Sequence, residues 1–235
     1  MTPPTLTLTY FGIAGAAEPI RLAAAIGKVP YIHKSLEFKD WPEYKKTTPV
    51  GLLPLLEVDN GKDDKQVIPE SVAILRYFGK LGGLYPTDPL EALKVDSIVD
   101  SSLDSMKAIA LTVQGSVTNM ISDEPWTKEE VAAIRKRIAT TKDAGLLMYM
   151  AYLNGVLEKN GSGWFVGDSV TIADLMVLRV TSWVGSGMLD GIPPETLDPF
   201  PLIKAHMEKI AALPEVKEFR DKHTTPYGNF KFGMK

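Results

Sequence analysis

No cysteine occurs among the 235 residues of this chain. That absence excludes a disulfide framework, thiolate metal ligands and a protein thiol as nucleophile. Any sulfur chemistry here must use a sulfur that arrives on a bound small molecule. Histidine is sparse as well: His33, His206 and His223 lie far apart and none belongs to a helical HxxxH pair. Each is read as structural or at the surface, and no metal site is expected. A surplus of positive charge is also lacking. With 26 Lys and Arg against 29 Asp and Glu, the formal net charge of -3 supplies no general drive toward nucleic acid or anionic membrane. No apolar run approaches the roughly 18 to 20 residues that cross a bilayer, and the N-terminus lacks a basic segment followed by an apolar stretch. The expectation is a cytoplasmic protein without nucleic-acid or membrane partners.

What is present is ample core material, with 45% hydrophobic residues in a length that fits one large domain or two modest ones. Before residue 84, short strand-like and helix-like pieces alternate. Leu6, Leu8 and Tyr10 alternate with threonines in the period of a strand. Pro19 suits a first helical turn, and the apolar run from Ile20 to Ile26 stops at Gly27. Further strands are expected at Tyr31 to Leu36, Leu53 to Val58 and Gln66 to Ile68, with a polar turn over residues 59–64 and a helix from Ser71 to Lys80. The order β-α-β, an irregular stretch, then β-β-α predicts a small mixed sheet with helices packed on it, an α+β domain.

Past the segment Tyr85-Pro86-Thr87-Asp88-Pro89 the strand signals fade and helical periodicity takes over. The chain therefore reads as a first domain over 1–83, a linker over 84–90 and an all-α domain over 91–235. One long helix is expected from Leu90 to Ile121. A second starts at the capping box of Thr127 with Glu130 and runs to Glu158. A third starts at Thr171, with Asp174 reaching back from the N3 position as a folding device. Pro201 to Ala212 and Pro214 to Lys222 complete the helices.

Two places in the first domain carry more than folding information. Pro54 cannot donate to a sheet ladder and so stands at the start of its strand. A trans bond there marks only a boundary. A cis bond would turn the backbone of Leu53 outward, where an extended peptide-like ligand could pair with it. Glu70-Ser71 stands at the start of the following helix, where backbone N–H groups, the positive end of the helix dipole and a hydroxyl suit a carboxylate, while Glu70 suits an ammonium. An ordinary serine cap beside an exposed glutamate fits the same residues.

In order along the chain, Leu8-Thr9-Tyr10-Phe11, Asp40-Trp41-Pro42, Leu53-Pro54-Leu55, Glu70-Ser71-Val72-Ala73-Ile74 and Val166-Gly167-Asp168 through Asp174 resemble the cytosolic glutathione transferases. Thr-Tyr-Phe, Asp-Trp-Pro-Glu and the run Val95-Asp96-Ser97-Ile98-Val99-Asp100 are most similar to the sigma class, which includes glutathione-dependent prostaglandin isomerases and refractive lens proteins. The resemblance implies a thioredoxin-like domain followed by a helical one, usually in a homodimer, with glutathione as co-substrate and a hydrophobic electrophile as its acceptor. It implies that Tyr10 donates a hydrogen bond to the glutathione sulfur. It gives the glycine end of glutathione to Trp41 and Lys45, the cysteinyl unit to Leu53 beside Pro54, and the γ-glutamyl group to Glu70 and Ser71. Asp104 of the partner subunit would contact the ammonium. Phe11, Ile13 and Leu111 are candidates to line the electrophile pocket. For Trp41, Phe11, Ile13 and Leu111 a place in the core is the competing reading, and for Asp104 an exposed helix position.

The chain departs from the sigma pattern in places that matter for chemistry. Ala14 and Ala16 stand where arginines are expected near the tyrosine, and Leu52 where a polar residue would take the glycine carboxylate. Glu70 replaces a glutamine, and Leu103 replaces an acid associated with divalent-ion effects. The expectation is a glutathione transferase that conjugates hydrophobic electrophiles. A ligand-carrying or structural protein of the same fold, and a glutathione-dependent isomerase or peroxidase, stand as alternatives.

Overall fold

The computed structural model describes residues 3–61, 65–113 and 126–223, which fall into two compact units. Among the described residues, the first holds the chain up to Pro86 and takes back residues 213–223; the second runs from Thr87 to Ala212.

In the first unit the elements are β1 (Thr5–Phe11), α1 (Glu18–Ile26), β2 (Ile32–Leu36), α2 (Trp41–Lys45), β3 (Leu55–Asp59), β4 (Lys65–Ile68) and α3 (Ser71–Leu81). The sheet order is β2-β1-β3-β4, with β1 parallel to β2 and antiparallel to β3, and β4 antiparallel to β3. This is the mixed sheet of the thioredoxin-like architecture. Its register follows from side-chain period: Leu6, Leu8 and Tyr10 of β1 are all buried, while Thr5 is exposed. Helices α1 and α3 pack on each other, with Ile20, Leu22 and Ala23 of α1 and Ile74, Leu75 and Phe78 of α3 all buried. Burying a side chain of this kind contributes roughly 1.5 to 3 kcal/mol. The ends of α1 and α3 meet backbone to backbone: a Cβ on Gly27 would lie 2.4 Å from Gly82 Cα, so any other residue would force the helices apart.

The stretch read as irregular in sequence contains α2, a helix of five residues with a proline in its first turn. Pro42 presets the backbone angle that such a turn needs.

The second unit is helical throughout its described residues: α4 (Pro89–Leu111), α5 (Lys128–Thr140), α6 (Gly145–Asn160), α7 (Ile172–Val184) and α8 (Pro201–Ala211). Asp88 caps α4 by accepting the N–H groups of Leu90 and Glu91. The long helix expected to reach Ile121 ends at Leu111, where the Thr112 hydroxyl donates back to the Ile109 carbonyl at 2.6 Å. The remainder of that expected helix, 114–121, lies outside the described residues. The single helix expected from Thr127 to Glu158 is two. Thr140 and Thr141 donate their hydroxyls to the carbonyls of Lys136 and Arg137, at 2.9 and 2.8 Å, and the backbone of Thr141 and Ala144 is extended. Such local hydroxyl bonds compete with helical continuation. The core of this unit collects Val95, Ile98 and Val99 of α4, Met150 and Leu153 of α6, and Ile172 and Val177 of α7. None of the described helices is long and apolar enough to cross a membrane.

The last helix, α9 (Pro214–Lys222), belongs to the first unit, where it packs on α1 with Val216 fully buried. The sequence assigned it to the helical domain because composition reports helix type and not the surface on which a helix lands.

Candidate active site

Tyr10 is the last residue but one of β1, and its side chain is buried apart from a small exposed fraction. Thr9 pairs with Leu55 across the β1–β3 ladder, so the end of β1 lies beside the start of β3 and the Pro54 that precedes it. The Leu53–Pro54 bond is cis. Pro54 is buried and Leu53 half-buried.

Beyond β1 the chain folds back over the tyrosine. The backbone N–H of Ala16 donates to Tyr10 Oη at 2.9 Å. Gly15 beneath it has φ +47°, and a Cβ there would fall 2.4 Å from Tyr10 Oη. Glycine is needed twice over, for the backbone angle and for the space. The loop is gripped from α1 by Arg21. Its Nη1 donates to the carbonyls of Ile13 at 2.7 Å and Ala14 at 3.3 Å, and its Nη2 to that of Phe11 at 3.0 Å. The guanidinium carbon lies 5.5 Å from the Tyr10 ring centroid, and Glu18 pairs with the guanidinium at 3.3 Å. Burial pushes the Glu18 carboxyl above its ordinary value, against the pull of Arg21.

Phe11 turns into a small aromatic group. It stacks on Phe38 with centroids 4.6 Å apart and meets Trp41 edge-on at 5.7 Å. Trp41 is half-buried in the first turn of α2. Lys45 ends α2, exposed, with its stem passing close to Gly51. Ile13 is half-buried, and Leu52 is 58% exposed.

At the start of α3, Glu70 adopts φ +78° and ψ 101°, a backbone region that a residue with a Cβ rarely enters. Such a conformation costs on the order of 1 to 3 kcal/mol. The Glu70 carbonyl accepts the N–H of Ile74 at 3.0 Å, while the Glu70 side chain makes no capping hydrogen bond to this helix end. Ser71 is half-buried and Glu70 exposed. The first-turn N–H groups and the positive end of the dipole therefore face outward beside a carboxylate and a hydroxyl.

Asp104 and Leu111 belong to α4 in the second unit. The Asp104 carboxylate forms an ion pair with Lys107 and accepts the Tyr149 hydroxyl at 3.3 Å. The bond from Lys107 holds its carboxyl below the usual carboxylate value. Leu111 is half-buried. The first unit thus carries Tyr10, Phe11, Ile13, Trp41, Lys45, Leu53, Pro54, Glu70 and Ser71. Among the described residues, no group of three or more His, Cys, Asp or Glu is placed to hold a metal ion.

Sequence reading missed Gly15, the Ala16 amide and Arg21. One signal was available: Arg21 is the only charged residue in the apolar run from Pro19 to Ile26, and a buried arginine requires acceptors.

Comparison with known proteins matches residues 6–80 to the glutathione S-transferase N-terminal domain and residues 118–223 to the glutathione S-transferase C-terminal domain. The chain is 33% identical over 226 residues to glutathione S-transferase 1 of Ascaris suum, covering 95% of this chain and all of that one. It is 30% identical to S-crystallin SL11 of Nototodarus sloanii, over 74% of this chain and 77% of that one. The solved structure of prostaglandin synthase D of Nilaparvata lugens superimposes with a TM-score of 0.76 at 27% identity, covering 94% of this chain and 99% of that one.

Proposed function

Because this chain belongs to the glutathione S-transferase family, we propose that it conjugates glutathione to hydrophobic electrophiles and that the Tyr10 hydroxyl activates the glutathione thiol. The family carries the co-substrate and the thiol chemistry. The observation behind the finer reading is the placement of Tyr10: a buried ring at the end of β1, its oxygen bonded on one side by the Ala16 amide at 2.9 Å.

Glutathione lies along the first unit in this reading. Leu53, ahead of Pro54, pairs its backbone with the cysteinyl unit. The α3 amides and Ser71 take the γ-glutamyl carboxylate, with Glu70 facing the ammonium. Lys45 pairs with the glycine carboxylate and Trp41 flanks it. The cysteinyl sulfur then lies at Tyr10, whose O–H donates to the thiolate. A free thiol has a pKa of about 8.5, and lowering it by two units requires about 2.7 kcal/mol of preference for the thiolate. One hydrogen bond to a charged group contributes roughly 1.5 to 3 kcal/mol, so a single tyrosine nearly suffices. The thiolate attacks the electrophilic carbon, a C–S bond forms, and the displaced electron pair leaves with the departing group or enters the acceptor's π system. Phe11, Ile13 and Leu111 are the candidates to contact the acceptor.

The sigma-like pattern, residues 1–83 as the glutathione-binding domain, a cytoplasmic location and a homodimer belong to the same proposal. In the dimer Asp104 reaches the partner's glutathione ammonium, so dilution to monomer weakens glutathione affinity; unchanged affinity in a demonstrated monomer removes that role.

A carrier or structural role is favoured by Ala14, Ala16 and Leu52, which take polar groups away from the site, and by the likeness to S-crystallin SL11. An isomerase using the same thiol is favoured by the likeness to prostaglandin synthase D of Nilaparvata lugens. Calorimetric titration with glutathione, joined to thiolate absorbance across pH in wild type and Tyr10→Phe, tests the assignment. Binding with a lowered thiol pKa that returns toward the solution value in Tyr10→Phe supports it; absence of binding gives the site to the carrier reading. A panel of electrophiles, scored for glutathione conjugates and for isomerised products, separates conjugation from isomerisation.

A further inference from the structure

Two positions near Tyr10 where the sigma-class resemblance leads one to expect cations are alanines, Ala14 and Ala16. We propose that the backbone N–H of Ala16 aims and strengthens the Tyr10 hydroxyl as a donor, and that Arg21 is the positioning residue that holds this amide in place. The inference rests on Tyr10 being the thiol-activating group.

A phenolic oxygen has one hydrogen to donate and lone pairs to accept. The Ala16 amide, at 2.9 Å, occupies an acceptor position on Tyr10 Oη. With an N–H already pointing at the oxygen, the phenolic hydrogen is repelled from that side and turns toward the remaining space, where a bound sulfur would lie. Accepting the amide also polarises the O–H, because linked hydrogen bonds strengthen one another by roughly 10 to 30% each. A neutral peptide group thereby supplies part of what a nearby cation would.

The amide performs this role only if it stays in place. Gly15 lets the loop pass under the tyrosine oxygen, at φ +47° and without a Cβ. Arg21 fixes the other side through the carbonyls of Phe11, Ile13 and Ala14, with its side chain only 6% exposed. Three carbonyls around one planar fork require a guanidinium, since a lysine ammonium is a point charge on a flexible stem. The same guanidinium lies 5.5 Å from the Tyr10 ring centroid, so its charge could act directly, and the experiment must separate charge from grip.

The readout is the pKa of enzyme-bound glutathione, from thiolate absorbance across pH, with glutathione affinity by calorimetry and thermal unfolding recorded alongside. The variants are Tyr10→Phe, Arg21→Lys, and a protein in which the Ala16 amide is replaced by an ester through nonsense suppression, which deletes the N–H and keeps the side chain. The ester is expected to raise the bound thiol pKa by roughly half a unit, about threefold in the thiolate ratio, the size of a cooperative fraction of one charge-assisted bond. Glutathione affinity measured below the thiol pKa stays at wild type. In a Tyr10→Phe background the ester has no further effect. Arg21→Lys raises the thiol pKa at least as much as the ester, despite the retained charge.

A wild-type thiol pKa in the ester protein, with Tyr10→Phe raising it, overturns the inference and leaves the Tyr10 assignment standing. An unchanged pKa in Tyr10→Phe removes the assignment itself, and the inference with it. A wild-type pKa in Arg21→Lys overturns the positioning role, since charge alone then suffices. If Arg21→Lys does not fold, the ester protein decides.

Discussion

Two helices of this protein start in opposite ways. At the start of α7, Asp174 is fully buried and accepts four hydrogen bonds: from the Thr171 N–H at 2.7 Å and hydroxyl at 2.9 Å, the Phe165 N–H at 3.0 Å, and His206 Nε2 at 2.9 Å. A carboxylate oxygen can only accept, so the last of these places a proton on Nε2. At the start of α3 the Glu70 side chain leaves the helix end unclosed, and Glu70 sits at φ +78°. One end turns every polar group inward, and the other leaves its donors outward and holds a strained residue beside them. Satisfied burial is how a chain makes stability from polar groups. An open helix start beside a strained backbone is what a site for an anionic ligand has to offer.

The largest effect should come from breaking the closed end. Asp174→Ala removes one partner of a buried pair and strands two backbone N–H groups and an imidazole, for a loss of about 4 kcal/mol. In a chain of this length that lowers the melting temperature by on the order of 10 °C, while the turnover of the protein that remains folded is unchanged. A loss below about 1 kcal/mol, measured by urea unfolding, would mean that closure of the α7 start contributes nothing special. Next comes the removal of the proposed donor in the first unit. Measured at a pH below the lowered thiol value, Tyr10→Phe should lower kcat/KM for conjugation by about 100-fold, the equivalent of two pKa units, for about 1 kcal/mol of stability as the Ala16 amide loses its acceptor. A loss of turnover that merely tracks unfolding would place Tyr10 with Asp174 as a structural group.

The open end yields a prediction of two opposed signs. Glu70→Gly relieves the disfavoured backbone and should raise stability by about 1 kcal/mol, strain relief exceeding the entropy that glycine adds to the unfolded chain. The same change deletes the carboxylate proposed to meet the ammonium, weakening glutathione binding by roughly tenfold. Stability and affinity moving together would show that Glu70 is held for folding alone.

These contrasts were unevenly legible in the sequence. The α7 start is legible as a folding device because a threonine and an acid three residues apart are a local signal. Asp174 bears that out by accepting the Thr171 N–H, but its bond to His206, 32 residues away, left no mark in the spacing. The strands are legible to within one or two residues: β1 alternates in sequence, and β3 follows a proline that marks its start. The break between α5 and α6 was missed because Thr140 and Thr141 suit either a helix interior or its end until their hydroxyls choose a carbonyl. Both isomers of the Leu53–Pro54 bond are close in energy for a free chain, so the sequence left both open. Arg21 is hard to place from sequence: Glu18 three residues earlier suggests only a local ion pair, while the Phe11, Ile13 and Ala14 carbonyls that it holds have no sequence signature. The unclosed state of the α3 start was equally silent: Glu-Ser reads as a cap whether or not the side chain turns to fill it.

The smallest effect separates closure from burial. The start of α5 is closed in the manner of α7 but lies exposed: Thr127 donates its N–H to Glu130 at 2.7 Å and its hydroxyl at 3.0 Å, and Glu130 returns its own N–H to that hydroxyl at 3.2 Å. The bond from the Thr127 amide holds the Glu130 carboxyl below its ordinary value of 4.5. A carboxyl depressed in the folded state stabilises the fold above its unfolded value, and that contribution fades as pH falls through the folded value. Glu130→Gln keeps an acceptor for the cap and removes only the ionisation. The stability difference between wild type and Glu130→Gln should therefore be small and positive at about pH 7 and shrink toward zero as pH falls below the ordinary carboxyl value. A difference that stays flat across that interval would mean that the cap acts without its charge. If the difference fades as expected yet stays far below the Asp174 effect, desolvation, and not the capping pattern the two helices share, accounts for the strength of the α7 start.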